Sequence, residues 1–224
     1  MGASSHRQLL LPHSSFLTLF RHRLSKIIPK ISSRPIDPDY SIGYNKGIMK
    51  QIQINNTIVE AVKGDIVKQE IDAIVNAANS HLMGGGGVDG AIHAAGGASI
   101  MADTDRRYPA GCLTGSAVAS TAGRLKAKCV IHAVAPRYST NPVCAELLYK
   151  AYYNSLIVAV RNDCTSVAFP SLGTGAYRYP LGEAAPIALK AVRDFLQKHD
   201  SITLIRFVLF DDKTLSAFEK ELTQ

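Results

Sequence analysis

Two short segments, DAIVN (72–76) and SVAFP (166–170), are apolar on consecutive positions, and each is followed by a loop that contains glycines. A strand that alternates apolar and polar residues buries one face. A strand apolar on successive residues is suited to burial on both, in the middle of a sheet covered above and below. From Met49 onward, β-like and helix-like stretches alternate in the order that builds an α/β layer fold. The pattern predicts strands over 52–62 (one, or two divided at Asn55-Asn56), 72–76, 116–120, 129–134, 166–170 and 202–210. It predicts helices over 88–95, 144–161, 183–198 and 213–222. In the second helix Leu148, Tyr152, Leu156 and Ala159 recur at steps of three and four, one apolar stripe for one sheet face. Pro186 is expected in the first turn of the third helix, where a missing N–H costs nothing. Asp211 or Asp212 is expected to cap the last.

The loop after the first apolar strand belongs to NAANSHLMGGGGVDGAIHAAGG (76–97), with four consecutive glycines ahead of an aspartate and a histidine. Four glycines sacrifice chain entropy and packing, which suits a backbone that must approach a ligand closely or turn through positive φ. In open α/β sheets ligands bind beyond the carboxyl ends of the strands. The second loop, SLGTGAYRYP (171–180), follows another such strand. Two loops of bare N–H groups, one opening a helix near Val88, fit a diphosphate.

Other classes are weakened by what is missing. No apolar run reaches membrane-spanning length. There is no phosphate-loop lysine motif. Residues 85–90 match G-x-G-x-x-G formally. The glycines do not follow the strand directly, however, and Asp103 and Asp105 do not end a second strand, so a nicotinamide-dependent oxidoreductase is a distant alternative. Cys112, Cys129, Cys144 and Cys164 are widely spaced with no C-x-x-C pair and read as reduced, mostly buried thiols. No metal-ligand cluster accompanies Asp89 and His93, so neither a catalytic zinc nor another cofactor is expected.

The net charge of +7 is concentrated at the start of the chain: up to Lys50 there are eight Lys/Arg against Asp37 and Asp39, whereas the remainder has 17 basic and 16 acidic residues. A basic domain face for nucleic acid therefore gets little support. Residues 1–48 read as a basic tail. Its arginines, serines and helical spacing of Phe16, Phe20, Leu24, Ile27 and Ile28 suit an organelle transit peptide, and equally a disordered leader upstream of a natural start at Met49. The expected location is cytoplasmic, or the mitochondrial matrix if the tail is a transit peptide. Residues 49–224 are read as one domain, acting as a monomer.

VKGDIVKQEIDAIVNAANSHLMGGGGVDGAIHAAGG, AGRLKAKCVIHAVAP and SVAFPSLGTGAYRYP resemble, in order, the signature blocks of the macrodomain family, specifically its MacroD-type ADP-ribosyl hydrolases and O-acetyl-ADP-ribose deacetylases. The likeness runs from about Ile52 to the C-terminus. It implies a three-layer α/β/α domain with a mixed sheet that binds ADP-ribose and cleaves ADP-ribosyl esters, on O-acetyl-ADP-ribose or on mono-ADP-ribosylated proteins. A non-catalytic ADP-ribose reader is the alternative. Asp65, with Ile66 beside it, would meet the adenine amine, although Asp65 also suits a helix cap. Gly85, Gly86, Gly87 and Val88 would hold one side of the diphosphate, and Gly173, Thr174, Gly175 and Ala176 the other, with Tyr177 against the distal ribose. Asn79, Asp89 and His93 would face the scissile ester. Asp89 and His93 are four apart, neighbours on one helix face. Asp89 also suits a capping role in the first turn, and a lone histidine there is ordinarily a core residue. Two positions depart from the family pattern: Gly173 where serine is usual, and Arg178 where glycine is usual. The segment 98–110 also lacks the acidic residue and cysteine common there.

Overall fold

The computed structural model describes residues 50–224; the basic tail and its amphipathic pattern lie outside the described residues. Seven strands form one sheet: β1 (Lys50–Ile54), β2 (Thr57–Lys63), β3 (Ala73–Ala77), β4 (Ala117–Thr121), β5 (Cys129–Ala133), β6 (Ser166–Phe169) and β7 (Leu204–Leu209). Their order is β1-β2-β7-β6-β3-β5-β4. The five inner strands are parallel, and β1 and β4 pair antiparallel at the two edges, so the sheet is mixed. The 52–62 segment divides at Asn55-Asn56 into a hairpin, with Asn55 at φ 52°, a conformation asparagine tolerates better than most residues.

Residue parity along the inner strands sorts the core. Val75, Ile131, Val167, Phe169 and Phe207 face one side and pack with α3 (Val143–Arg161), α4 (Leu181–Leu196) and α5 (Asp212–Leu222). Ile74, Val130, Ala168 and Val208 face the other, against Ile92 and Ile100 of α1 (Gly87–Gly96) and α2 (Ala98–Arg107). Both faces are buried, as the consecutive apolar residues require, and the layering is helix, sheet, helix. The predicted stripe of α3 is buried throughout, and Asp211 caps α5 by accepting the Thr214 N–H at 2.7 Å.

Two features differ from expectation. Helix α4 begins at Leu181, so Pro186 sits inside the helix and not in its first turn. Helix α2 was not predicted. Of its ten residues only Ile100 and Thr104 are buried. What holds it is polar: Arg107 Nη1 and Tyr108 Oη donate to the Ala119 carbonyl of edge strand β4 at 2.7 and 2.9 Å, and Asp103 accepts the Thr121 N–H at 3.0 Å. Among the described residues no helix is long and apolar enough to cross a membrane.

Candidate active site

Adjacent strands β3 and β6 are parallel, and their connections depart in opposite directions. After β3 the chain enters α1 on one face, on its way toward β4 and β5; after β6 it enters α4 on the other, on its way to β7. Such a switch point opens a crevice at the carboxyl edge of the sheet. Both glycine loops rise from it side by side.

In the first loop, Gly86 caps α1 without a side-chain hydrogen bond and Gly87 turns at φ 60°. A Cβ built at Gly86 or Gly87 would meet nothing within 4 Å, so this backbone borders open space. At Gly90 a Cβ would come within 2.6 Å of the Gly85 carbonyl oxygen, so glycine there lets the helix close under the loop. In the second loop, Tyr152 Oη accepts the Leu172 N–H at 2.8 Å, the Tyr179 N–H reaches the Gly173 carbonyl at 3.0 Å, and Gly175 also borders open space. The N–H groups of 85–88 and 173–177 make no hydrogen bond among the described residues, which leaves a run of donors on each side of the crevice. Gly173 sits at φ 79°, where glycine carries no steric cost. Arg178 keeps the turn that glycine usually makes, at φ 56°, with its N–H on the Gly175 carbonyl at 2.9 Å.

Beneath the first loop, Asp89 is 6% exposed. It accepts no cap bond. Its Oδ1 lies 2.5 Å from Asn76 Nδ2 and 3.4 Å from His93 Nε2. Its Oδ2 lies under Gly85, where a Cβ would come within 3.0 Å of it, so that oxygen faces the loop. Asn79 does not join this pair: its amide accepts the His81 and Met83 N–H groups and donates to the Met83 carbonyl, pinning the turn that leads into the glycines. On the outer side of His93 lies a cleft of about 450 Å³ lined by Gly97, Ala98, Met101, Ala102 and Asp105.

The flanks are set by the neighbouring strands. Asp65, after β2, caps a single 3-10 turn through the Val67 N–H at 3.2 Å, so the capping role is realised, and its remaining acceptor capacity stays at the surface. Ile66 is buried in the core and offers only backbone. Phe210, 83% exposed, follows β7 directly beside Gly64, whose N–H bonds the Leu209 carbonyl at 2.9 Å. Sequence reasoning passed over it. Tyr177 carries the Arg137 guanidinium 4.9 Å above its ring.

Sequence reasoning also missed the polar residues under Asp89. Asn76 of β3 and His132 of β5 are register partners and wholly buried, with Ser120 of β4 beyond them. The signal was present: Asn76 and His132 are each the one polar residue in an otherwise apolar inner strand. Burial, reinforced by the nearby His93, lowers the His132 pKa to about 4. All four cysteines are buried and unpaired, and burial raises the Cys129 thiol to about 12. Among the described residues no group of three His, Cys, Asp or Glu side chains is placed to hold a metal ion.

Residues 75–188 match the macro domain family. A macro domain-containing protein of Caldanaerobacter subterraneus subsp. tengcongensis is 50% identical over 72% of this chain and 94% of that protein. An O-acetyl-ADP-ribose deacetylase of Citrobacter rodentium is 45% identical over 75% of this chain and 97% of its own length. The macrodomain of Oceanobacillus iheyensis solved with ADP superposes with a TM-score of 0.74 at 36% identity, over 79% of this chain and 95% of that one. With half its length matched by the family and relatives of this identity, the chain belongs to the macro domain family.

Proposed function

We propose that this protein binds ADP-ribose along the carboxyl edge of its sheet and hydrolyses esters at the distal ribose, releasing the acyl group from O-acetyl-ADP-ribose and from aspartate- or glutamate-linked mono-ADP-ribosylated proteins. The observation that carries the catalytic half is buried Asp89, with partly buried His93 3.4 Å away, under a loop of unpaired N–H groups. The similarity to a protein named O-acetyl-ADP-ribose deacetylase, and to a fold solved with ADP, supports the same ligand.

In this reading the exocyclic amine of adenine donates to Asp65, and Phe210 offers a flat face to the base. The diphosphate lies between 85–88 and 173–176, held by backbone dipoles and the positive end of α1. Tyr177 flanks the distal ribose and Asn79 keeps the loop in register. Water attacks the ester carbonyl, the acyl C–O bond to the ribose breaks, and the ribose oxygen takes up a proton, leaving ADP-ribose and a carboxylic acid. Asp89 Oδ2 accepts the hydrogen bond that orients the water or an adjacent ribose hydroxyl, while His93 steadies Asp89 from the helix turn above. The cleft beyond His93 gives the acyl group a way out to solvent.

The test is incubation with O-acetyl-ADP-ribose and with a glutamate-linked mono-ADP-ribosylated protein, following free ADP-ribose, beside calorimetry with ADP-ribose. Release from both substrates is expected. Tight binding with no release would make the protein a reader, and no binding at all would refute the site.

A further inference from the structure

Beneath Asp89, three strands contribute one polar side chain each to an otherwise apolar core layer. Asn76 (β3), His132 (β5) and Ser120 (β4) are all buried, and they form a continuous line to Asp89: Asn76 Nδ2 to Asp89 Oδ1 at 2.5 Å, Asn76 Nδ2 to His132 Nδ1 at 3.1 Å, and His132 Nε2 to Ser120 Oγ at 2.8 Å. Burying polar groups costs free energy unless each is satisfied, so the direction of every bond matters.

The directions follow from one constraint. Asp89 is an acceptor, so the Asn76 amide must present its NH₂ end there and not its carbonyl. The second amide hydrogen then points at His132 Nδ1, which can accept it only as a neutral ring carrying its proton on Nε2. That proton reaches Ser120 Oγ, and the Ser120 hydroxyl donates onward to the Thr121 carbonyl at 3.0 Å. The chain thus ends on a backbone acceptor that cannot reverse. An asparagine amide is nearly symmetric in shape, and packing alone cannot choose between NH₂ and C=O. Two acceptors, one on each hydrogen, make the choice.

We infer that His132 is a positioning residue for the hydrolysis: through its Nδ1 lone pair it locks the Asn76 amide with both hydrogens committed, and so fixes the rotamer of Asp89 that turns Oδ2 toward the glycine loop. The inference rests on the hydrolase reading for its kinetic consequence, but the lock itself can be measured without turnover. The Asn76 carbonyl oxygen is left buried without a protein partner, the cost of spending both hydrogens in this way.

The experiment combines nitrogen NMR of the full chain with kinetics of three variants. At neutral pH the His132 ring is expected to show a single neutral tautomer protonated at Nε2. Turnover of O-acetyl-ADP-ribose by His132→Leu should fall about tenfold, the scale of one misdirected hydrogen bond, with KM and ADP-ribose affinity little changed. His132→Asn, whose side-chain oxygen can stand where Nδ1 stood, should recover most of the rate. Should the leucine variant fail to fold, Ser120→Ala still decides the matter: the Asn76 N–H alone should hold the Nε2-protonated tautomer there, and a ring protonated at Nδ1 in that variant would overturn the proposal. An Nδ1-protonated ring in the wild type, or full-rate His132→Leu enzyme, would overturn the proposal. Absence of turnover in the wild type with the Nε2 tautomer intact would instead overturn the hydrolase reading.

Discussion

The two glycine loops make an instructive pair. Both leave the carboxyl ends of neighbouring parallel strands, both present bare N–H groups to the same crevice, and both keep glycine against open space, Gly86 and Gly87 in one and Gly175 in the other. They differ in what lies underneath. The 171–180 loop is tied down by the Tyr152 hydroxyl, by Thr174 bonding back to Ser171, and by its own backbone. No carboxylate or imidazole is among those partners. The 84–87 loop sits over Asp89, His93 and the buried line through Asn76 to Ser120. In the proposed function one loop holds an anion, and the other holds it beside the groups that act on what is attached.

The comparison can be broken most severely by placing charge in each loop. Gly86→Glu and Gly175→Glu introduce side chains into open space, so the fold should survive, while a carboxylate beside the diphosphate should weaken ADP-ribose binding by about 10³-fold or more. Calorimetry together with melting curves checks this. Equal binding in either variant would remove that loop from the site. Gly90→Ala, by contrast, drives a Cβ into the Gly85 carbonyl and should lower stability by about 1 to 3 kcal/mol.

Asp89→Ala separates the two loops by function. Turnover should fall about 10²-fold or more, the scale of a positioned acid or base, while ADP-ribose affinity stays within a few-fold. No comparable loss is expected from Thr174→Ala, which touches only the second loop's internal bonding. A rate assay on both variants is the check.

Acid should lower the stability of the fold through His132. In the unfolded chain a histidine takes up its proton near pH 6.5, whereas buried His132 stays neutral down to about 4. Its contribution is therefore fully present above about pH 6.5 and is lost as pH falls toward 4, amounting to about 3 kcal/mol by linkage. Denaturant titrations at several pH values should show that slope, reduced in His132→Asn. The smallest effect concerns the second loop's departure from the family pattern. Arg178→Gly should relieve the left-handed backbone and raise stability by up to about 1 kcal/mol, part of the gain being offset by unfolded-state entropy.

How much of this could be read from the sequence follows from how local each cause is. The inner strands were legible because Ile74-Val75 and Val167-Ala168-Phe169 carry their burial in consecutive apolar residues. The two loops and the Asp89–His93 pair were legible because glycine runs and i,i+4 spacing are local too. Helix α2 was not: with only Ile100 and Thr104 buried it has no apolar stripe, and its anchors are backbone groups of β4 more than ten residues away. Pro186 was misplaced because two more residues of α4, Leu181 and Gly182, precede Glu183. The support under Asp89 showed only as isolated polar residues in apolar strands, because Asn76, His132 and Ser120 become neighbours only when β3, β5 and β4 take their places in the sheet.

The most direct test of the account is the initial rate of acetate release from O-acetyl-ADP-ribose by the full chain, with substrate in large excess over protein. The account predicts many turnovers per molecule, with acetate and ADP-ribose formed in equal amounts. Saturable binding of ADP-ribose with no acetate released above the uncatalysed background would contradict it.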